Sequence, residues 1–171
     1  MLNNVPGKGV PYSVETLREG QYFSTGQYNS DVSAGSSVTF LIRNPSNSGK
    51  RYYIDPQVIR TELKSRVNKW FNPDSLSGGS NPTTSPINKK SNGEKTTDAV
   101  VEVNHSSFTG GSEQFSSKLV GSDAGGPPTG GGGAAPANII YPGNSLFLEV
   151  VNEANSSQDI SIDLDWVEES T

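Results

Sequence analysis

The sequence predicts an all-β fold, a single-domain antiparallel β-sandwich, from three observations. Leu146, Leu148 and Val150 alternate with residues of the other face, and after a polar turn Ile160, Ile162, Leu164 and Trp166 alternate again. That period of two is the mark of a two-strand hairpin with one apolar face. The pattern also occurs earlier, where Gly35, Val38, Phe40, Ile42 and Asn44 match Gly143, Leu146, Leu148, Val150 and Asn152 at a constant offset of 108 residues. A one-residue slip would turn every apolar side chain outward, so the shared spacing implies two hairpins in related positions of one β-structure. Composition supplies the third observation. Only 31% of the 171 residues are hydrophobic, while Gly and Pro number 19 and 11. A core this lean suits strands that bury every second residue and leave long polar loops at the ends.

Taken in order, residues 1–18 carry Pro6, Gly7, Gly9 and Pro11 and read as an extended N-terminal arm, ahead of a β-sandwich domain over 19–169. Gln21 to Tyr28 is a first strand. Ser36 to Arg43 and Lys50 to Asp55 form the first hairpin across Asn44-Pro-Ser-Asn-Ser-Gly49. Residues 58–71 fit two patterns: Ile59, Leu63, Val67 and Trp70 at helical spacing, or Ile59, Thr61, Leu63, Ser65, Val67, Lys69 and Phe71 in alternation. Asp55-Pro56 provides no N-cap and the neighbouring elements are β, which favours the strand. Residues 72–97 are too polar and too rich in Pro and Gly to be more than a long loop, and 121–137 form a second, low-complexity one. Between and after them lie strands at 97–104 and 114–120 and the last hairpin. The total is seven to eight strands with long loops, for which a jelly-roll-like arrangement is the natural candidate.

Charge and composition exclude several classes of function. A net charge of -5 with scattered basic residues argues against a nucleic-acid surface. Without cysteine there is no disulfide or thiolate metal site. No apolar run reaches the length of a membrane span, and the N-terminus lacks the apolar core of a signal peptide, so synthesis in a cytoplasm without Sec export is expected.

Candidate chemistry is sparse. Asn44 to Lys50 ends in Gly-Lys like a phosphate-binding loop, but Asn44 replaces the first glycine and Arg51 the magnesium-binding hydroxyl, which leaves a tight turn. His105 is the single histidine and reads as a surface loop residue. Asp163 and Asp165 share one strand face; they are candidates for calcium or paired-carboxylate chemistry, and more ordinarily a solvated outer face. Asn104-His-Ser106 and Asn155-Ser-Ser157 match the glycosylation sequon and read as turns. Tyr52 with Tyr53, and Trp70 with Phe71, are adjacent aromatics, so one of each pair faces away from the inner layer and can serve a subunit interface or a ligand. No catalytic residue, metal or cofactor is expected.

The order of motifs from about residue 30 to 169 resembles a loose group of virion structural proteins from viruses of bacteria and archaea. The likeness runs through Phe40-Leu-Ile-Arg-Asn-Pro-Ser-Asn-Ser-Gly-Lys50, Arg66-Val-Asn-Lys-Trp-Phe-Asn-Pro73, Ser85-Pro-Ile-Asn-Lys-Lys-Ser-Asn-Gly93, Ile140 to Asn152, and Ile160 to Glu168. It implies a β-sandwich or jelly-roll subunit of a capsid, a capsid decoration or a tail-associated structure, in which Asn44, Pro45, Gly49, Pro142 and Gly143 are structural turn positions. The resulting expectation is a non-enzymatic virion protein whose partners are its own copies and other virion proteins. The alternative is a carbohydrate- or receptor-binding module, with Trp70, Tyr52 or Tyr53 stacking on sugar and Asp163 or Asp165 placing calcium.

Overall fold

The computed structural model describes residues 21–54, 58–89, 95–109, 111–119 and 138–171. The N-terminal arm expected at 1–18 and the low-complexity loop at 121–137 lie outside them. Every element is a strand: Tyr22–Val32 (β1), Ser37–Arg43 (β2), Lys50–Ile54 (β3), Val58–Thr61 (β4), Ser65–Phe71 (β5), Ser75–Ser77 (β6) and Thr84–Asn88 (β7). They continue with Val100–Val103 (β8), Ser107–Thr109 (β9), Ser112–Leu119 (β10), Asn138–Ile140 (β11), Ser145–Asn152 (β12) and Gln158–Ser170 (β13).

The strands pair antiparallel throughout. The first sheet has the order β11-β3-β13-β1-β7, with β4 also on β13; the second has the order β10-β5-β12-β2-β8; β6 and β9 make a separate ribbon. The longest strand, β13, organises the first sheet: β1 runs along one side, while β4 and then β3 share the other. Consecutive strands cross between these two sheets at β1 to β2, β2 to β3, β4 to β5, β7 to β8, β10 to β11, β11 to β12 and β12 to β13. Strand β5 returns to its neighbour β10 in the same sheet, with Phe71 opposite Ser112, after an excursion over residues 72–111 that carries β6 to β9.

One buried cluster draws on both sheets. Phe23, Ile54, Ile160, Ile162, Leu164 and Trp166 come from the first; Val38, Phe40, Ile42, Leu146, Leu148 and Val150 come from the second. Burying each of these large side chains contributes about 1.5–3 kcal/mol relative to leaving it in water. Trp166 stacks on Phe23 with ring centroids 5.7 Å apart. Alternation along β13 sets this up, since Ile160, Ile162, Leu164 and Trp166 are buried while Asp159, Ser161, Asp163 and Asp165 are half-buried on the opposite face.

The structure corrects the sequence reading of the elements in four places, the first being number: thirteen strands stand among the described residues where seven to eight were expected. Neither apolar pair is a hairpin: β2 and β12 lie side by side in the second sheet, β3 and β13 in the first, so each intervening turn crosses between sheets. Alternation shows that one face is apolar and says nothing about which strand lies alongside. Residues 72–97 are not a loop alone, because they contain β6 and β7. Both are polar edge strands with partners on one side, held by backbone hydrogen bonds and needing little apolar content. Residues 58–71 are β throughout their described elements, but split at Glu62–Lys64 into β4 and β5 in different sheets. The alternating set survives the crossing, with Ile59, Thr61, Ser65 and Val67 buried and Leu63, Lys69 and Phe71 half-buried.

Candidate functional site

The turn residues singled out in sequence assemble into a reciprocal pair. Tyr141-Pro142-Gly143-Asn144 is closed by Asn144 N–H donating to Tyr141 O at 3.0 Å, and Ser33-Ala34-Gly35-Ser36 by Ser36 N–H to Ser33 O at 3.0 Å. Gly143 has φ +84° and Gly35 φ +76°, the left-handed region that the third position of a type II turn requires. Each turn then binds the other repeat's asparagine. Gly143 N–H donates to Asn44 O and Gly35 N–H to Asn152 O, both at 2.9 Å; in return Asn44 N–H reaches Asn144 O and Asn152 N–H reaches Ser36 O, both at 2.9 Å.

Asn44 and Asn152 have no solvent exposure. Asn44 Nδ2 donates to Ile140 O at 3.0 Å and Lys50 O at 2.8 Å; Asn152 Nδ2 donates to Val32 O and Ser156 O, both at 2.8 Å. Ile140 and Val32 are again 108 residues apart. An amide with two donors and a carbonyl suits a crossing between sheets, where strand ends present backbone groups without ladder partners. Pro45 O accepts the Ser48 N–H at 3.1 Å, and Gly49 at φ +61° turns the chain into β3.

On the outer face of the first sheet, away from the core, β13 presents a row of carboxylates, each with a partner. Asp159 accepts from the Tyr28 hydroxyl and from Asp31 N–H at 3.0 Å. These hydrogen bonds hold its carboxyl below the usual range, Tyr28 contributing most, and the same contact raises the Tyr28 phenol. Asp163 pairs with Arg60, and Asp165 with Lys89 and with Tyr22 Oη at 3.1 Å. Glu169 takes Arg51 at 3.1 Å and Tyr53 Oη at 2.6 Å. Asp163 and Asp165 thus face cations, and no group of three or more His, Cys, Asp or Glu suited to a metal ion occurs among the described residues.

The aromatics separate by face. Tyr52 is fully buried, and its hydroxyl has no hydrogen-bond partner among the described residues. Burial raises its phenol far above the ordinary value, helped by Glu168 and Asp98. It is therefore not a surface ring. Tyr53 is half-buried on the outer face, and Phe71 packs against the core from its margin. Trp70 lies on the outer face of the second sheet in a cluster with Phe108 at 5.0 Å and Phe147 at 6.0 Å; Phe108 and Phe147 are 4.6 Å apart. Phe108 belongs to the β6–β9 ribbon, which roofs this face.

His105, read in sequence as a surface residue, is under the same roof, with its side chain 2% exposed. Its ring meets Phe147 edge-on at 5.6 Å, Nδ1 lies 3.3 Å from Thr39 Oγ1, and the Gly79 backbone packs so tightly on it that a Cβ there would come within 2.6 Å of Nε2.

Two features escaped the sequence reading. Phe108 sits in a polar ribbon with no alternation to mark it. Glu168 is 3% exposed, and accepts from Lys50 Nζ at 2.8 Å, Trp166 Nε1 at 3.3 Å and the Thr97 hydroxyl. Burial draws the Lys50 amine down, but its bonds to Glu168 and Asp98 outweigh this and leave it raised. The one available signal for Glu168 was its place in the inward series after Ile162, Leu164 and Trp166. No helix among the described residues is long and apolar enough to cross a membrane. Comparison with protein-family models, with curated proteins and with solved structures finds no match for the chain.

Proposed function

We propose that this chain is a jelly-roll β-sandwich that acts as a non-enzymatic virion structural subunit, a capsid or capsid-decoration protein working through contacts with its own copies and other virion proteins. The observation that carries the reading is strand order. With the 72–111 excursion set aside, the two sheets run β1-β13-β3-β11, with β4 also on β13, and β2-β12-β5-β10, and successive strands alternate between them save for β3 to β4 and β5 to β10. That order supports two interleaved Greek keys, an arrangement used in capsid and lectin domains alike.

Fold alone does not choose between those uses. Support for the structural one comes from an interior filled by Trp166, Phe23, Phe40 and Leu148, and from asparagines committed to holding turns. The glycan-binding alternative needed Trp70, Tyr52 or Tyr53 as a stacking ring. Tyr52 is buried and Trp70 lies against Phe108 and Phe147, which leaves Tyr53. The proposed location is the virion, after synthesis in the host cytoplasm. Electron microscopy of purified particles with quantitative mass spectrometry tests the proposal. A stoichiometric, repeated position for the chain is the expected result, and its absence from intact particles would overturn the reading.

A further inference from the structure

Lys89 meets a single carboxylate among the described residues, that of Asp165. Lys50, the first residue of β3, is held differently: its Nζ lies between two carboxylates, 2.8 Å from Glu168 and 2.9 Å from Asp98. The two acids are unlike. Glu168 is 3% exposed and belongs to the inward series of β13, whereas Asp98, just ahead of β8, is 57% exposed. Asp98 is nonetheless fixed through its neighbours: the Thr97 hydroxyl donates to Glu168 and accepts the Ala99 N–H at 2.9 Å, and Ala99 packs against the core. Tyr52 shares the inward face of β3 with Lys50 and lies opposite Glu168 in the ladder. It is fully buried, its hydroxyl has no partner among the described residues, and the charges of Glu168 and Asp98 both act on it.

An amine pressed against one carboxylate, with a second, buried carboxylate on the same nitrogen, supplies what amide formation needs: a nucleophile, an electrophile and a proton carrier. We propose that Lys50 and Asp98 condense into an intramolecular isopeptide bond, with Glu168 as the general base and then the general acid. The inference does not depend on where the chain acts. Glu168 takes a proton from the Lys50 ammonium, and the freed lone pair attacks Asp98 Cγ, one bond beyond the oxygen that Nζ already touches. The N–C bond forms and one C–O bond of Asp98 breaks, its electron pair leaving with the oxygen. That oxygen departs as water, carrying the proton returned by Glu168 and a second one from the nitrogen. An ammonium and a carboxylate thus become a neutral amide and water, with nothing oxidised or reduced. Contact within one fold gives an aligned pair an effective molarity of about 10⁵ M or more. The Tyr52 hydroxyl can donate to the oxygen that gains charge as the nitrogen attacks, and the exposure of Asp98 gives the water a way out. Glu168 keeps donors throughout, from Trp166 Nε1, from Thr97 and from the new amide N–H. The product ties β3 of the first sheet to the lead-in of β8 at the edge of the second.

Intact-mass spectrometry of the denatured full chain tests this, on protein freshly purified and after prolonged incubation at neutral pH, with tandem sequencing of its proteolytic peptides. The expected result is a chain lighter than its sequence by one water, with Lys50 and Asp98 joined in a single cross-linked peptide. Lys50→Arg keeps the charge without the primary amine, and Asp98→Ala removes an exposed carboxyl; both should fold, by far-UV circular dichroism, and keep their full mass. Glu168→Gln should form the bond at least about a hundredfold more slowly, the loss expected when a proton carrier is removed. Should that variant fail to fold, Lys50→Arg and Asp98→Ala carry the test alone. A native chain that keeps its full mass overturns the proposal, as does a lost water that maps to another residue. A bond between Lys89 and Asp165 as abundant as the one at Lys50, or a folded Glu168→Gln chain that cross-links at the native rate, overturns it equally.

Discussion

Asn44 and Asn152 do the same work in different surroundings. Both are fully buried and both hold the opposite repeat's turn, but their carbonyls differ. Asn44 Oδ1 accepts from the Ser48 hydroxyl beside the exposed 46–49 turn. Asn152 Oδ1 accepts from Ala154 N–H at 2.9 Å and from Gln158 Nε2 at 2.7 Å, and Gln158 reaches on to Ser65 Oγ at 3.0 Å, so a second buried amide depends on it. Near-symmetry of backbone thus coexists with asymmetry of consequence. A buried polar group is costly in proportion to how many partners are stranded when it goes.

The sharpest way to break the comparison is to remove each amide. Asn152→Ala strands two carbonyls, a backbone N–H and the Gln158 amide, and is expected to lower stability by about 3–5 kcal/mol. Asn44→Ala, whose neighbours Ser48 and Lys50 lie nearer water, should cost about 2–3 kcal/mol. Denaturant unfolding of the two variants checks the order, and equal losses would mean that the Gln158 network adds nothing. Gly143→Ala and Gly35→Ala probe the part that is symmetric. Each places a Cβ at positive φ with no atom nearer than 3.8 Å to obstruct it, so both should cost about 1–2 kcal/mol and match one another.

Tyr52→Phe should have the smallest effect, a gain of about 1 kcal/mol, because it deletes a buried hydroxyl that has no partner among the described residues. Its sign with pH is testable too. A phenol raised in the folded state favours its neutral form, so the native chain should lose stability as pH rises above the ordinary tyrosine value near 10, and Tyr52→Phe should lessen that loss. Chemical denaturation at neutral and alkaline pH reads both effects.

Much of the frame was legible because period-2 alternation reports burial directly. Leu146, Leu148, Val150, Ile160, Ile162, Leu164 and Trp166 are buried as the pattern requires, and Ile59, Thr61, Ser65 and Val67 keep their faces even through a change of sheet. Pairing was not legible, since the same alternation serves a hairpin and a crossing between sheets. Strands β6 and β7 were hidden for a related reason: an edge needs backbone partners more than side chains. The repeat was visible as matched letters, but the role of Asn44 and Asn152 depends on turns about 100 residues away in sequence, a relation that local turn chemistry cannot express.

The excursion between β5 and β10 leaves and rejoins the frame at facing positions, Phe71 and Ser112. Such an appendage behaves like a cassette at its ends: its length can change without rerouting the strands before and after it. What a replacement must still supply is shelter for Phe147, bordering strands for β1 and β2, and the core side chains of Val101 and Val103, the tasks now done by Phe108, β7 and β8. Diversity between related chains should therefore concentrate in the parts of this insert outside those contacts, with an aromatic plug retained.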